Sequence, residues 1–222
     1  MATTSSPCPT EEAPTTRGVF ILFEGVDRAG KTTHARRVVA RMVQEGTPVE
    51  FMAVPDRTTK IGAVIDQHLR GEITLPREAA HYLFAANRWE LCTRILDLIE
   101  AGTTIVMDRY SFSGVAYSVA KGMSVVTAWA TECGLPAPDV VIQLILSGHQ
   151  QAARAGWGTE CNDNVELQRR VRDAYRHFHE RRHWAIVPSP TDPDAVAGNV
   201  WAVVQQTVAR VRSSNAPLAT LH

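Results

Sequence analysis

The chain has 222 residues, of which 45% are hydrophobic and 21% charged, values that suit one globular domain with a sizeable buried core. Lys+Arg and Asp+Glu both number 23, so no charge surplus marks a binder of nucleic acid or of an anionic membrane. No stretch approaches the ~20 apolar residues of a helical membrane span. A small anionic ligand held by a few placed cations remains fully compatible with this balance.

Residues 1–17 (MATTSSPCPTEEAPTTR) are rich in Pro, Thr and Ser. They match neither a secretory nor an Arg-rich transit peptide, and read as a disordered tail. A single domain over residues 18–212 follows. Its strand candidates are Val19–Glu24, Val49–Val54, Thr104–Met107, Val140–Leu146 and Trp184–Val187, all short and rich in apolar residues. Helical patterns fill the gaps: Lys31–Gln44, Thr59–Arg70, Arg77–Ala101, Ser111–Lys121, Val125–Glu132, Gln150–Ala155, Val165–Arg182 and Asp194–Arg212. Gly46, Pro48, Gly71, Pro76, Gly102 and the run from Gly134 to Pro138 punctuate them. Strands alternating with helices predict an α/β fold, a doubly wound five-stranded parallel sheet with helices on both faces. Residues 213–222 read as unstructured. Cys8, Cys92, Cys133 and Cys161 show neither CxxC nor zinc-site spacing, which fits free thiols in a reducing compartment. The cytoplasm is the default location and leaves room for a nuclear pool. His177, His179 and His183 are read as a solvated helix end rather than a metal site.

The first strand candidate runs into Gly25-Val-Asp-Arg-Ala-Gly30-Lys31-Thr32, a GxxxxGK[ST] loop between a strand and a helix. Its glycines allow a tight backbone whose N–H groups, together with the helix N-terminus, cradle phosphate. The nucleotide-binding set is Gly25, Arg28, Ala29, Gly30, Lys31, Thr32 and Thr33. Lys31 is expected on the β- and γ-phosphates of ATP, and Thr32 on Mg²⁺. Asp27-Arg28 is an unusual middle for such a loop. Arg28 can stabilise charge on the moving phosphoryl group as an arginine finger supplied in cis; the alternative is that it points to solvent.

The third strand candidate ends in Asp108-Arg109, a charged pair closing an apolar run. Ligands bind at the carboxyl ends of strands in such sheets. Asp108 is placed to hold the Mg²⁺ and Arg109 to bridge donor and acceptor phosphates; an ordinary strand-end ion pair is the alternative.

The run from Asp108 to Ser118 (DRYSFSGVAYS) resembles the thymidylate kinase signature. Three further segments resemble the same family in the same order: Glu24–Thr32, Pro55–Gly62 (PDRTTKIG) and Leu83–Glu90 (LFAANRWE). The resemblance implies transfer of the ATP γ-phosphate to deoxythymidine monophosphate (dTMP), giving the diphosphate and ADP, and usually a homodimer. It also implies residue roles. Asp27 would accept from the 3′-hydroxyl of the acceptor. Arg57 and Arg109 would hold its phosphate. Phe84 would stack on thymine and Arg88 would donate to a thymine carbonyl; spaced i and i+4, they share one helical face. Tyr117 would pack on the sugar, Ser113 and Gly114 would line the base pocket, and Gln168 would neighbour the base. Read alone, Phe84 and Tyr117 suit core positions better than a ligand site.

A lid at about residues 150–164 is expected, with Arg154 reaching the adenine side of ATP. After Arg154 no arginine follows until Arg169, as in the branch of the family that carries arginine in the phosphate loop. Cys161, Asn162 and Trp157 depart from the family's pattern. Other readings are another P-loop pyrimidine nucleotide or deoxynucleoside kinase, and a GTPase-like switch. The first rival's usual Glu-Arg-Ser element is replaced here by Asp108-Arg109-Tyr110, and the switch would need an NKxD element that the chain lacks.

Overall fold

The computed structural model describes residues 16–146, 162, 164–189, 192–214 and 216–222. At its centre lie five strands: β1 (Phe20–Glu24), β2 (Val49–Ala53), β3 (Thr104–Asp108), β4 (Val140–Ile145) and β5 (Trp184–Pro188). All pair in parallel, in the order β2-β3-β1-β4-β5. Strands β1 and β3 are buried along their whole length, as befits strands covered by helices on both faces, which explains their uninterrupted apolar sequence. The strand order reverses beside β1, and that switch point opens a crevice at the carboxyl edge of the sheet. Register places Phe23 opposite Asp108, so the phosphate loop after β1 and the Asp108-Arg109 pair after β3 emerge side by side.

The helices are α1 (Lys31–Gln44), α2 (Lys60–Leu69), α3 (Arg77–Trp89), α4 (Cys92–Glu100), α5 (Ser111–Ala120), α6 (Val125–Ala130), α7 (Val165–Tyr175) and α8 (Pro193–Ser214). Local caps explain several starts. Thr59 accepts from Gly62 N at 2.9 Å, Ser124 from Thr127 N at 3.1 Å and Asn164 from Leu167 N at 3.0 Å. The single helix expected over Arg77–Ala101 is two. A Leu91 N–H to Arg88 O bond of 3.1 Å tightens the chain there to an i→i+3 turn, and α4 restarts beyond it. The helix expected over Val165–Arg182 stops at Tyr175 and passes into a 3₁₀ turn over Arg176–Phe178. The helix expected over Gln150–Ala155 lies outside the described residues.

The tail expected after Arg212 is instead packed. Helix α8 runs to Ser214, and Leu221 is buried. Leu221 N donates to Leu135 O at 2.9 Å, its carbonyl accepts from Gly134 N at 2.9 Å, and Ala219 O accepts from Ala137 N at 2.8 Å. Trp129 Nε1 donates to the His222 carbonyl at 2.9 Å. Two leucines in ten polar and small residues make no periodic pattern, so the sequence carried no sign of this pairing. Arg17, read as part of the other tail, donates to Asp139 at 2.7 and 2.9 Å and to Ala216 O at 2.7 Å.

Candidate active site

The phosphate loop is built by left-handed backbone. Gly25 has φ 136°, and a Cβ there would lie 2.4 Å from the Leu144 carbonyl oxygen, so only glycine fits against β4. Arg28 has φ 62°, uncommon for a residue with a side chain, and lies between Asp27 and the buried Ala29. Ser189 Oγ fixes the Ala29 carbonyl at 2.9 Å. Lys31 is buried and its Nζ donates to Val26 O at 2.7 Å. Burial, then the nearby Arg109 charge, depress its pKa from 10.5 to about 8. The Thr32 hydroxyl donates to Asp108 Oδ2. Asp108 Oδ1 is buried and has no hydrogen-bond partner among the described residues. A hydroxyl beside a carboxylate with an uncommitted oxygen suits a hydrated divalent cation.

Arg109, also left-handed at φ 67°, joins the two sides of the crevice. Its guanidinium donates to the Gly25 carbonyl at 3.2 Å, to Ser113 Oγ at 2.9 Å and to Asp27 Oδ1. Tyr117 OH and Gln168 Nε2 donate to the other Asp27 oxygen, each at 2.5 Å. Burial acts to raise the Asp27 pKa, but the Arg109 and Lys31 charges and the bonds from Tyr117 and Gln168 outweigh it and hold it below its ordinary value. Beneath this hub lies Glu24, fully buried at the end of β1. It accepts from Tyr110 N and Ser113 N at 3.0 Å, and from Ser113 Oγ and Tyr175 OH at 2.5 and 2.8 Å. A carboxylate from β1 thus caps the first turn of α5, whose own N-cap residue offers no side-chain bond.

A cavity of about 380 Å³ runs from Arg28, Lys31, Thr32 and Asp108, past Asp27, Arg57 and Arg109, to Phe84, Arg88, Ser113, Gly114 and Tyr117. Its first end is cationic and polar. Its second end is a slot between α3 and α5, floored by Arg88, which is 1% exposed. A Cβ on Gly114 would lie 2.5–2.7 Å from the Arg88 guanidinium, so glycine lets that plane lie against α5. Gly114→Ala is therefore expected to displace Arg88 and to raise KM for a pyrimidine acceptor by ~10-fold or more, with the KM for ATP unchanged. Unaltered acceptor kinetics in the folded variant would contradict this account of Gly114.

A family model described as thymidylate kinase matches residues 23–197. The thymidylate kinase of Dictyostelium discoideum is 36% identical over 197 residues, covering 88% of this chain and 89% of that protein. That of Danio rerio is 39% identical over 174 residues, covering 77% and 82%. The solved thymidylate kinase of Candida albicans superposes with a TM-score of 0.84 at 30% identity, covering 93% of this chain and 99% of that one. The chain belongs to the thymidylate kinase family.

Among the positions that the motifs and the family resemblance selected, the fold brings Asp27, Arg28, Lys31, Thr32, Arg57, Phe84, Arg88, Asp108, Arg109, Ser113, Gly114 and Tyr117 to one cavity. Arg57 Nη1 also pairs with Asp66 at 2.6 Å. Gln168, expected beside the base, instead meets the Asp27 carboxylate and lies 3.0 Å from Tyr117 OH. Thr33 is exposed on α1. Arg154 and the lid segment around it, Asn162 and Asn164 apart, lie outside the described residues. The resemblance assigned no role to Glu24, Asn87, Glu132 or Tyr175. Glu24 carried the same signal as Asp108, a charge closing an apolar strand. Asn87 is fully buried and pins the loop bearing Arg57, accepting from Asp56 N at 2.8 Å and donating to Asp56 O at 3.1 Å.

Proposed function

We propose that this thymidylate kinase family member holds ATP on the Gly25–Thr33 loop and dTMP in the slot between α3 and α5, and moves the γ-phosphate from one to the other with Mg²⁺. The observation that carries this reading is the single cavity joining Lys31 and Thr32 to Phe84 and Arg88, with Arg109 between the two ends. Arg57 and Arg109 take the acceptor phosphate, and Phe84 and Arg88 take the base. Thr32 and Asp108 hold the Mg²⁺, which when bound neutralises charge on the phosphate oxygens. Asp27, already desolvated and ionised, accepts from the 3′-hydroxyl, while Tyr117 OH packs at the sugar.

The acceptor is a phosphate monoester with a second pKa of ~6, so at neutral pH it is mostly a dianion and needs no general base. That agrees with a site whose conspicuous groups are cations rather than a free histidine. Catalysis then comes from alignment and charge neutralisation. A coupled ADP-release assay with a panel of monophosphates tests the reading. dTMP should be the best acceptor. dUMP, lacking one methyl, should be poorer by ~10–200-fold, and dCMP nearly inert. Turnover of dCMP equal to dTMP would remove the assignment.

The homodimer is proposed on the apolar residues that α3 and α4 leave exposed, Tyr82, Trp89 and Leu96. A monomer by analytical ultracentrifugation would refute it.

Lys31 makes ATP binding proton-linked. With a pKa of about 8 in the free site, the amine is mostly neutral at pH 9. A polyphosphate, whose own last pKa of ~6 lies far below, favours the charged form and restores the amine's pKa toward its ordinary value. Binding at pH 9 should take up ~0.9 proton, and at pH 7 almost none from this group. Calorimetry in two buffers of different ionisation enthalpy reads the number; no buffer dependence at pH 9 would exclude the linkage.

A further inference from the structure

We infer that Glu132 is a positioning residue for base recognition: it fixes the Arg88 guanidinium so that one nitrogen is presented to the pyrimidine. The inference rests on the reading of Arg88 as the group that meets the base.

Glu132 is fully buried in the turn after α6. Its Oε2 accepts from Arg88 Nε at 2.7 Å and its Oε1 from Arg88 Nη2, a two-pronged pair that sets the guanidinium plane. Nη1 has no acceptor among the described residues, so it is the nitrogen left for a ligand carbonyl. Gly114 bounds the other side of the plane, where a Cβ would lie 2.7 Å from Nη1 and Cζ. The carboxylate is held in turn. Thr131 Oγ1 lies 3.0 Å from Glu132 Oε1 and 3.0 Å from His81 Nε2, and His81 Nδ1 lies 2.8 Å from Ser118 Oγ. One set of protons satisfies the whole chain. Ser118 donates to Nδ1 of a neutral His81, Nε2–H donates to Thr131, Thr131 donates to Glu132, and Glu132 accepts from Arg88. Burial, which pushes the His81 pKa down, favours that neutral ring. His81 and Arg88 lie seven residues apart on α3, two turns along one face. The chain therefore starts at Ser118 on α5, passes through His81 on α3 to the turn after α6, and returns to α3 at Arg88.

The physical effect is twofold. Glu132 compensates a charge that would otherwise sit buried against the base, leaving a directed donor in place of a bare cation. It also removes the rotamer freedom of a long side chain, so the donor meets O4 of a 2,4-dioxopyrimidine but confronts the amino group of a cytosine. A loosened Arg88 loses that discrimination.

The test compares wild type, Glu132→Gln and Glu132→Asp by kcat and KM with dTMP, dUMP and dCMP, and KM for ATP, each variant first checked by near-ultraviolet circular dichroism. Glutamine keeps the shape and removes the charge; aspartate keeps the charge but is one methylene short of both prongs. Glu132→Gln should raise the KM for dTMP ~10-fold or more, leave the KM for ATP unchanged and lower the ratio of dTMP to dCMP kcat/KM by a similar factor. Glu132→Asp should show the same pattern to a smaller degree, and alone suffices where the glutamine variant does not fold. Unchanged KM and base ratio in a folded variant overturn the inference. An equal loss with every acceptor, or a raised KM for ATP, assigns Glu132 a structural role and overturns it too. A wild type that does not turn over dTMP sinks the proposed function itself, a separable outcome.

Discussion

Arg109→Ala is expected to lower kcat/KM for dTMP by ~10⁴-fold, within the range measured for arginines at transferring phosphoryl groups. Arg109 makes connections to both sides of the crevice. Arg109 touches the phosphate loop through the Gly25 carbonyl, the first turn of α5 through Ser113, and the acceptor side through Asp27. Its removal takes away charge from the space between the two phosphates and releases Asp27 as well. Arg109→Lys keeps the charge but not the planar fork, and should recover no more than ~10-fold. The same variants carry a pH signature. The Arg109 charge is a chief reason the Asp27 pKa lies low, against a burial that acts to raise it. In Arg109→Ala burial meets less opposition and the Asp27 pKa rises. Titration of the Asp27 carboxyl by carbon-13 NMR without acceptor, clear of the acceptor's own pKa of ~6, should show the rise; an unmoved titration would exclude this role for Arg109.

Arg28→Ala should lower kcat by at least ~10²-fold with much smaller changes in either KM. Arg28 sits in the loop that wraps the donor phosphates and lines the same cavity as Lys31. A guanidinium there gains interaction as negative charge shifts during transfer, so its contribution appears in kcat rather than in affinity. The backbone complicates the experiment. At φ 62° alanine bears the same ~1–2 kcal/mol strain as the arginine it replaces, so Arg28→Ala isolates the guanidinium, whereas Arg28→Gly also relieves the backbone. The two variants should fall by similar factors. A large loss in the alanine variant beside near-normal turnover in the glycine variant would assign the effect to loop geometry and take Arg28 out of the mechanism.

Much of this was written in local sequence. Strand β1 and helix α1 stand within a residue of where the apolar run and the phosphate motif put them, because a fully buried strand and a glycine-framed helix start both leave dense local signals. The break between α3 and α4 was hidden, since neither proline nor glycine marks it and the apolar spacing continues through it. At the site, the donor half was legible from one contiguous motif. The acceptor half needed the family resemblance, because Phe84 and Tyr117 read alone are ordinary core aromatics. Glu132 was out of reach altogether. It lies 44 residues from Arg88, at the end of the helical pattern read over Val125–Glu132, two residues past where the helix stops, and only the folded chain reveals that the two side chains are joined. Gln168, which the resemblance put beside the base, donates to a carboxylate of the phosphate loop, a contact that no local pattern announces.

The packing of residues 216–222 bears on how the molecule is made. The indole of Trp129 waits for a carbonyl 93 residues further along the chain, a stretch that a ribosome adding ~5–20 residues per second needs roughly 5–19 s to supply. During that interval the Gly134 N–H, the Leu135 carbonyl and the Ala137 N–H lack the partners they find in residues 219–221, and the turn just before them, which carries Thr131 and Glu132, lacks that anchor. The phosphate loop waits too, since Ser189 Oγ meets the Ala29 carbonyl, but Ser189 is made before residues 216–222. A nascent chain should thus acquire its grip on a nucleoside triphosphate before its ability to tell one pyrimidine from another.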